Sequence, residues 1–251
     1  MTRIGVSVRD AADLQRWQAR VGGMLPLVKV FTQDVPTISE LQWLIGQPAL
    51  VCWRADPALV LDGQLDSQIR DLGSICRNAG WHPVYTQEPD GTNSDGTPKM
   101  TAATYVSCRA HIAKLNAAGP TCLMGYTVDH GDADSWTVNR HALTTFDTYP
   151  VDPSRAPNGR AWGLPDPQLL FGAQHAWAVV RSRSWGISEY GSHTVDGRAG
   201  WITAVTGWAR AQGAYCCLYY TGPSSKTGDF SLDADPASIA AIVTAIKTGG
   251  M

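Results

Sequence analysis

Short apolar runs alternate with longer segments of helical period along the whole chain. Eight of the runs have the length and β-branched or aromatic content of buried strands, at 4–8, 27–31, 49–53, 82–86, 122–126, 144–147, 185–188 and 214–219. The segments between them carry helix end signals. Asp166-Pro167 and Asp235-Pro236 have the cap-then-proline order of a helix start, and Gly80 and Gly119 follow helical stretches where a terminating glycine is expected. Eight strands, each followed by a helix, predict an α/β chain folded as a single (β/α)8 barrel over 1–251. An open α/β sheet is the alternative. Its nucleotide-binding versions lose support, because neither Gly-x-Gly-x-x-Gly after the first strand nor Gly-x-x-x-x-Gly-Lys-Ser/Thr occurs. The longest irregular stretches, 90–99 and 150–165, follow the fourth and sixth strands and are rich in Gly, Pro, Asn and Asp. Loops after barrel strands lie on the catalytic face, so these two are candidate walls of a cleft.

Composition narrows the partners. With 251 residues and 44% hydrophobic content the chain can bury a substantial core. Lys plus Arg is 20 against 22 for Asp plus Glu, so there is no broad field of the kind that holds nucleic acid or an anionic membrane. No apolar run approaches the roughly 20 residues that cross a bilayer, and the first residues lack a signal-peptide pattern. The expectation is a soluble chain without classical export, cytoplasmic or virion-associated if phage-encoded. The six cysteines sit inside apolar runs and include no Cys-x-x-Cys pair, which predicts buried free thiols rather than disulfides or a zinc site. Ten Trp and eight Tyr against four Phe favour amphipathic rings, suited to a wet cleft as well as to packing.

Reactive side chains of a (β/α)8 barrel stand at the carboxyl ends of its strands. Two glutamates hold such positions. Glu88 follows Val84-Tyr85-Thr86-Gln87 and precedes Pro89, and Glu189 follows Trp185-Gly186-Ile187-Ser188 and precedes Tyr190-Gly191. Strands four and seven face each other across the mouth, which would bring both carboxylates to one pocket. A pair about 5 to 5.5 Å apart serves a retaining glycosidase, and a gap of roughly 6.5 to 9.5 Å an inverting one. Either glutamate alone reads equally as a solvated loop residue or as the partner of Arg9 or Arg54.

These residues resemble those of the clan A glycoside hydrolases. Gln87-Glu88-Pro89 is similar to the Asn-Glu-Pro or His-Glu-Pro segment that ends strand four in that group. Ser188-Glu189-Tyr190-Gly191 is similar to its strand-seven segment, and Phe146-Asp147-Thr148-Tyr149-Pro150 to the Asp-x-Tyr segment ending strand six. The order of the three segments agrees with the group, and the implied barrel spans essentially the whole chain. The resemblance implies that Glu88 is the general acid/base and Glu189 the nucleophile, that Tyr149 touches the nucleophile or substrate, and that Asp147 orients neighbouring groups on the substrate side. Gln87 stands where many members carry an Asn that binds a sugar hydroxyl. Mechanistically, a neighbouring ionised carboxylate would help keep the acid/base protonated, and a hydrogen bond from Tyr149 or an Arg would keep Glu189 ionised. Trp53, Tyr85, Tyr126, Trp162, Tyr190 and Tyr219 lie near strand ends, where some would offer sugar-stacking faces and the rest would pack in the barrel wall.

Other chemistry is weaker. Asp129, His130, Asp132 and Asp134 cluster after strand five and could hold a divalent metal, but no second His lies at ligand spacing, and the pattern also suits a polar loop. Gly-x-Ser-x-Gly is missing, and Cys52 and Cys122 sit within apolar strands. Arg9, Lys29 and Arg54 lie near the ends of the first three strands and would either hold an anionic substrate or pair with acidic neighbours in the mouth. The sequence thus points to a retaining hydrolase of a β-linked oligo- or polysaccharide, leaning to mannanase-like or glucanase-like members, with no cofactor, metal, nucleic acid or membrane insertion required. The rival reading is a non-catalytic glycan-binding or structural barrel, for instance a phage virion or tail component.

Overall fold

The computed structural model describes residues 1–86, 89, 99–115, 117, 119–124, 130–136, 143–149, 163–224 and 228–249; for 121–124, 130–132, 223–224 and 228–229 the backbone alone is described. Eight parallel strands form one sheet: β1 (Arg3–Ser7), β2 (Val28–Thr32), β3 (Ala49–Trp53), β4 (His82–Tyr85), β5 (Thr121–Met124), β6 (Leu143–Asp147), β7 (Ser184–Tyr190) and β8 (Cys216–Tyr219). Helical segments follow every strand. They are α1 (Ala11–Val21), α2 (Ile38–Leu41) running into a 3-10 turn at Gln42–Leu44, α3 (Pro57–Leu61), α4 (Asp66–Ala79), α5 (Ala102–Lys114), α6 (His130–Trp136), α7 (Pro167–Val180), α8 (Arg198–Ala211) and α9 (Pro236–Gly249). This is the (β/α)8 arrangement expected from the hydrophobic pattern. Among the described residues no helix is long and apolar enough to cross a membrane.

The helix starts at Asp166-Pro167 and Asp235-Pro236 form as anticipated. Asp166 accepts from the Gln168 amide at 2.8 Å and Asp235 from the Ser238 amide at 3.0 Å, each satisfying a backbone donor that the first turn leaves open. Gly80 ends α4 in the left-handed region, at φ 69°. Gly119 does something else, which corrects its reading as a helix stop: α5 already ends at Leu115.

The sheet order is β4-β3-β2-β1-β8-β7-β6-β5, so hydrogen bonds join the first strand to the last. The ends of that order, β4 and β5, approach within 8 Å between Cα atoms, with no ladder between them among the described residues. Gly119 lies at this joint. A Cβ there would stand 1.7 Å from the Pro83 carbonyl oxygen of β4, so only glycine lets the segment entering β5 press against β4.

Side chains of the strands divide between two apolar layers. Leu27, Leu50, Cys52, Val84, Cys216 and Leu218 pack together inside the barrel, with Phe31 partly buried against them. The positions between them, among them Val28, Val30, Val51, Trp53, Tyr85, Ile187, Cys217 and Tyr219, belong to the larger core shared with the helices. Strands buried on both faces explain why each reads as a nearly continuous apolar run. Cys52, Cys76, Cys108, Cys216 and Cys217 are buried free thiols, as expected; the Cys122 side chain lies outside the described residues. At the amino end of the barrel, His82 Nε2 and the Tyr215 hydroxyl share a hydrogen bond of 2.8 Å, with Arg3 stacked on the Tyr215 ring.

Candidate active site

The carboxyl end of the barrel carries a buried ionic cluster. Lys29, in the middle of β2, points inward between Leu27 and Phe31, and its ammonium donates to both carboxylate oxygens of Asp147 at 2.9 Å and to Oε2 of Glu189 at 2.9 Å. Lys29 and Asp147 are fully buried and Glu189 is 3% exposed. Ser188 donates to Asp147 Oδ1 at 2.5 Å, and the Tyr149 hydroxyl donates to Glu189 Oε1. Every carboxylate oxygen of the pair thus accepts at least one hydrogen bond, which is the condition for keeping charge inside a protein.

A bulge in β7 creates this arrangement. Phe146 pairs with Ile187 but Asp147 pairs with Glu189, so Ser188 and Glu189 together oppose a single residue of β6. On the other side, Ile187 pairs with Cys217 and Tyr190 with Tyr219, again with one extra residue in β7. Ile187 and Tyr190 face the helices, while Ser188 and Glu189 both bond inward to the cluster. A bulge re-aims side chains in this way, and the flanking chain is pinned by Thr148 N donating to Glu189 O at 2.9 Å and Tyr220 N donating to Tyr190 O at 2.9 Å.

Aromatic rings enclose the site. Lys29 Nζ lies 5.0 Å from the Phe31 ring centroid. Tyr149 packs against Phe230 at 5.1 Å and Tyr220 at 6.4 Å, and Tyr220 meets Phe31 at 6.4 Å and Phe230 at 5.6 Å. Phe230 follows a short antiparallel hairpin, β9 (Pro223–Ser224) and β10 (Gly228–Asp229), that the sequence pattern does not predict. It is fully buried and roofs Tyr149, and a Cβ at Gly191 would stand 2.9 Å from its ring. Phe31 and Tyr220 are only partly buried. The loop after β7 is anchored from behind. Buried Arg198 donates to Asp235 Oδ2 at 2.8 and 3.0 Å and to the Ser192 carbonyl at 3.1 Å, and the Tyr219 hydroxyl donates to the same carbonyl at 3.2 Å.

The residues singled out in the sequence are distributed as follows. Glu189, Asp147 and Tyr149 come together. Asp147 is fully buried and bonds to Lys29 and Ser188. Gln87, Glu88, Tyr126 and Trp162 lie outside the described residues, as do most of the two loops at 90–99 and 150–165. Trp53, Tyr85, Tyr190 and Tyr219 are fully buried in the layer between sheet and helices: Trp53 and Tyr85 lie 4.9 Å apart with Tyr85 stacked on Tyr105 of α5, and Tyr190 meets Phe171 and Trp201 of α7 and α8. Their expected place in a cleft is corrected to packing. Arg9 bonds to Asp13, and Arg54 is exposed. Of the acidic group after strand five, Asp134 pairs with Arg181 and accepts from Trp177; Asp129 and the side chains of His130 and Asp132 lie outside the described residues. Among the described residues no three His, Cys, Asp or Glu gather as a metal site requires.

Lys29, Ser188, Phe31, Tyr220 and Phe230 are the site residues that sequence reasoning passed over or left undecided. Lys29 had a visible signal, a lone charge inside Leu27-Val28-Lys29-Val30-Phe31. Such a residue is stable in a strand buried on both faces only if it is paired. Below the cluster, burial pushes the Cys52 and Cys216 thiols up to about 12, which keeps them neutral despite Lys29.

No protein-family model matches the chain, and no curated protein does. Solved structures do. The chain is similar to Thermotoga maritima Cel5A in complex with cellobiose, at 12% identity and TM-score 0.64 over 96% of both chains. It is similar to an endo-1,4-β-mannanase from Rhizomucor miehei, at 12% identity and TM-score 0.64 over 99% of this chain and 95% of that one. It is also similar to a GH128 endo-β-1,3-glucanase from Amycolatopsis mediterranei in complex with laminaripentaose, at 13% identity and TM-score 0.61 over 98% and 100%. At such identities the likeness is one of fold. These are barrels of the kind to which the motif resemblance pointed.

Proposed function

We propose that this chain is a retaining hydrolase of a β-linked glycan, with Glu189 as nucleophile and Glu88 as general acid/base. The observation that carries the reading is the setting of Glu189. It stands on a bulge at the carboxyl end of β7, its two carboxylate oxygens accept from Lys29 and Tyr149, and Tyr149 packs among further aromatic rings. The chain holds only three glutamates, Glu40, Glu88 and Glu189; Glu189 lies in β7, and Glu88 is the one that follows the β4 segment in the sequence. Glucanase and mannanase neighbours, crystallised in part with oligosaccharides, favour a carbohydrate substrate.

In this mechanism the Glu189 carboxylate attacks the anomeric carbon while Glu88 gives its proton to the departing glycosidic oxygen, breaking the C–O bond and leaving a glycosyl ester on Glu189. Glu88, now ionised, takes a proton from water. That water attacks the same carbon and releases Glu189. Lys29 and Tyr149 hold the carboxylate in one orientation throughout, so little reorganisation accompanies attack.

The test is turnover of aryl β-glucosides, aryl β-mannosides and β-glucan or mannan oligosaccharides, with Glu189→Gln as the paired variant. Cleavage with retained anomeric configuration, lost in Glu189→Gln, supports the proposal; an unchanged rate in that variant refutes it. The 3% exposure of Glu189 favours a second reading, a barrel that binds glycan without cleaving it. Saturable oligosaccharide binding with no product after prolonged incubation would select that reading.

A further inference from the structure

Asp147 is the least expected member of the cluster. It has no exposed surface, yet it takes two of the three hydrogen bonds that Lys29 gives to the two carboxylates. Lys29 devoted to Glu189 alone would form a closed ion pair, a poor arrangement for an attacking carboxylate, because the lone pair required for bond formation would be held by the ammonium. With Asp147 present, one positive charge serves two negative ones and the trio carries a net charge of −1.

Building on the reading of Glu189 as nucleophile, we infer that Asp147 is a positioning residue whose fixed negative charge, shared with Glu189 on the one ammonium of Lys29, keeps the Glu189 carboxylate basic enough to attack. No other described side chain at the site takes this part. From β3 and β8 the cluster is faced by the thiols of Cys52 and Cys216, both neutral, and from β7 and the end of β6 by the hydroxyls of Ser188 and Tyr149, both neutral donors. Lys29 is the one cation from β2. Ser188 holds Asp147 turned toward Lys29, so the bulge that aims Glu189 also fixes the residue that modulates it.

Asp147→Asn keeps the shape and removes the charge. The expected result is a lower kcat/KM on a cleaved aryl glycoside, with the acid limb of the pH profile moved to lower pH by about one unit or more, the usual effect of removing a like charge at this range. Asp147→Glu, which keeps the charge and disturbs the geometry, should leave the acid limb in place even where the rate falls. An acid limb that stays put in Asp147→Asn, or moves equally in both variants, overturns the inference. If Asp147→Asn does not fold, Asp147→Ser carries the same expectation. A second readout needs no turnover: with only three glutamates, carbon-13 labelling of Glu carboxyls and subtraction of the Glu189→Gln spectrum give the Glu189 titration directly. Its midpoint should fall in Asp147→Asn. A midpoint that falls in a protein that cleaves no glycan would sink the hydrolase reading and keep the electrostatic one; an unmoved midpoint in an active enzyme would do the reverse.

Discussion

Replacing Lys29 by Met keeps an unbranched side chain in the barrel and removes the cation that, among the described residues, pairs with Asp147 and Glu189. The wild-type ammonium is fully buried and makes three hydrogen bonds of 2.9 Å to the two carboxylates. Breaking a buried pair by deleting one partner costs about 3–5 kcal/mol, because the remaining charge stays buried and uncompensated. Here two carboxylates lose the same ammonium, which puts the expectation at the upper end of that range. A domain of this size is stable by roughly 5–15 kcal/mol, so the loss is a large share of the total. It corresponds to a fall in Tm on the order of 10 °C, at 2–4 °C per kcal/mol for a chain this long. The penalty belongs to the charged forms of the two carboxyls. It should therefore be full at pH 7 and shrink as the pH falls toward about 4, where unfolded carboxyls bind protons. Urea denaturation of both proteins at pH 7 and pH 5 measures this. Lys29→Met/Asp147→Asn should recover part of the loss at pH 7, since only one charge is then left alone. A deficit below about 1 kcal/mol at pH 7, or one that grows on acidification, would refute the picture of a paired, dehydrated cluster.

Four further outcomes follow from other parts of the molecule. Burial and the nearby Arg3 hold His82 below its ordinary value of 6.5, so the folded state disfavours its charged form. Its contribution is intact above about pH 6.5 and lost as the pH falls below that, so thermal melts from pH 8 to 5 should decline more steeply for wild type than for His82→Gln. Gly119→Ala, whose Cβ would meet the Pro83 carbonyl at 1.7 Å, should cost about 1–3 kcal/mol in urea denaturation, whereas alanine at Gly80, which meets nothing within 4 Å, should cost only the strain of its positive φ. Tyr190→Ala should destabilise by about 3–5 kcal/mol, while Tyr220→Ala, at a partly buried ring, should cost less and raise KM for any glycan substrate. Native protein at pH 8 should resist alkylation by iodoacetamide at Cys52, Cys76 and Cys216, which burial holds at about 12, and label fully only in denaturant, as peptide mass mapping would show.

Much of the scaffold is legible in the chain because parallel strands buried on both faces have a strong local signature, and because Asp166-Pro167 and Asp235-Pro236 announce their helices chemically. The site is only half legible. The strand-end rule locates a residue along the barrel axis but does not say which side of the wall it faces. That is settled by parity with inward neighbours such as Cys52, Val84 and Leu218, and parity turns Trp53, Tyr85 and Tyr219 toward the helices. The same parity reading would have turned Glu189 outward with Trp185 and Ile187. Only the bulge at Ser188 reverses it, and a bulge depends on pairing with β6 and β8 that no local pattern encodes. Phe230 reaches the mouth from a hairpin of two-residue strands, too short for any periodicity to register.

The order of the sheet has a consequence for how the barrel breathes. Its hydrogen bonds run without interruption from β4 through β1 and β8 to β5, so the chain's two terminal regions meet at a laddered joint and the middle of the chain at one that, among the described residues, has no ladder. The molecule behaves as a single ribbon, β4 to β5, curled until its ends touch, with Gly119 wedged against Pro83 as the clasp. Backbone amides on the facing edges of β4 and β5 should then exchange with deuterium well before those of β1 and β8, inverting the usual expectation that a fold loosens from its termini inward.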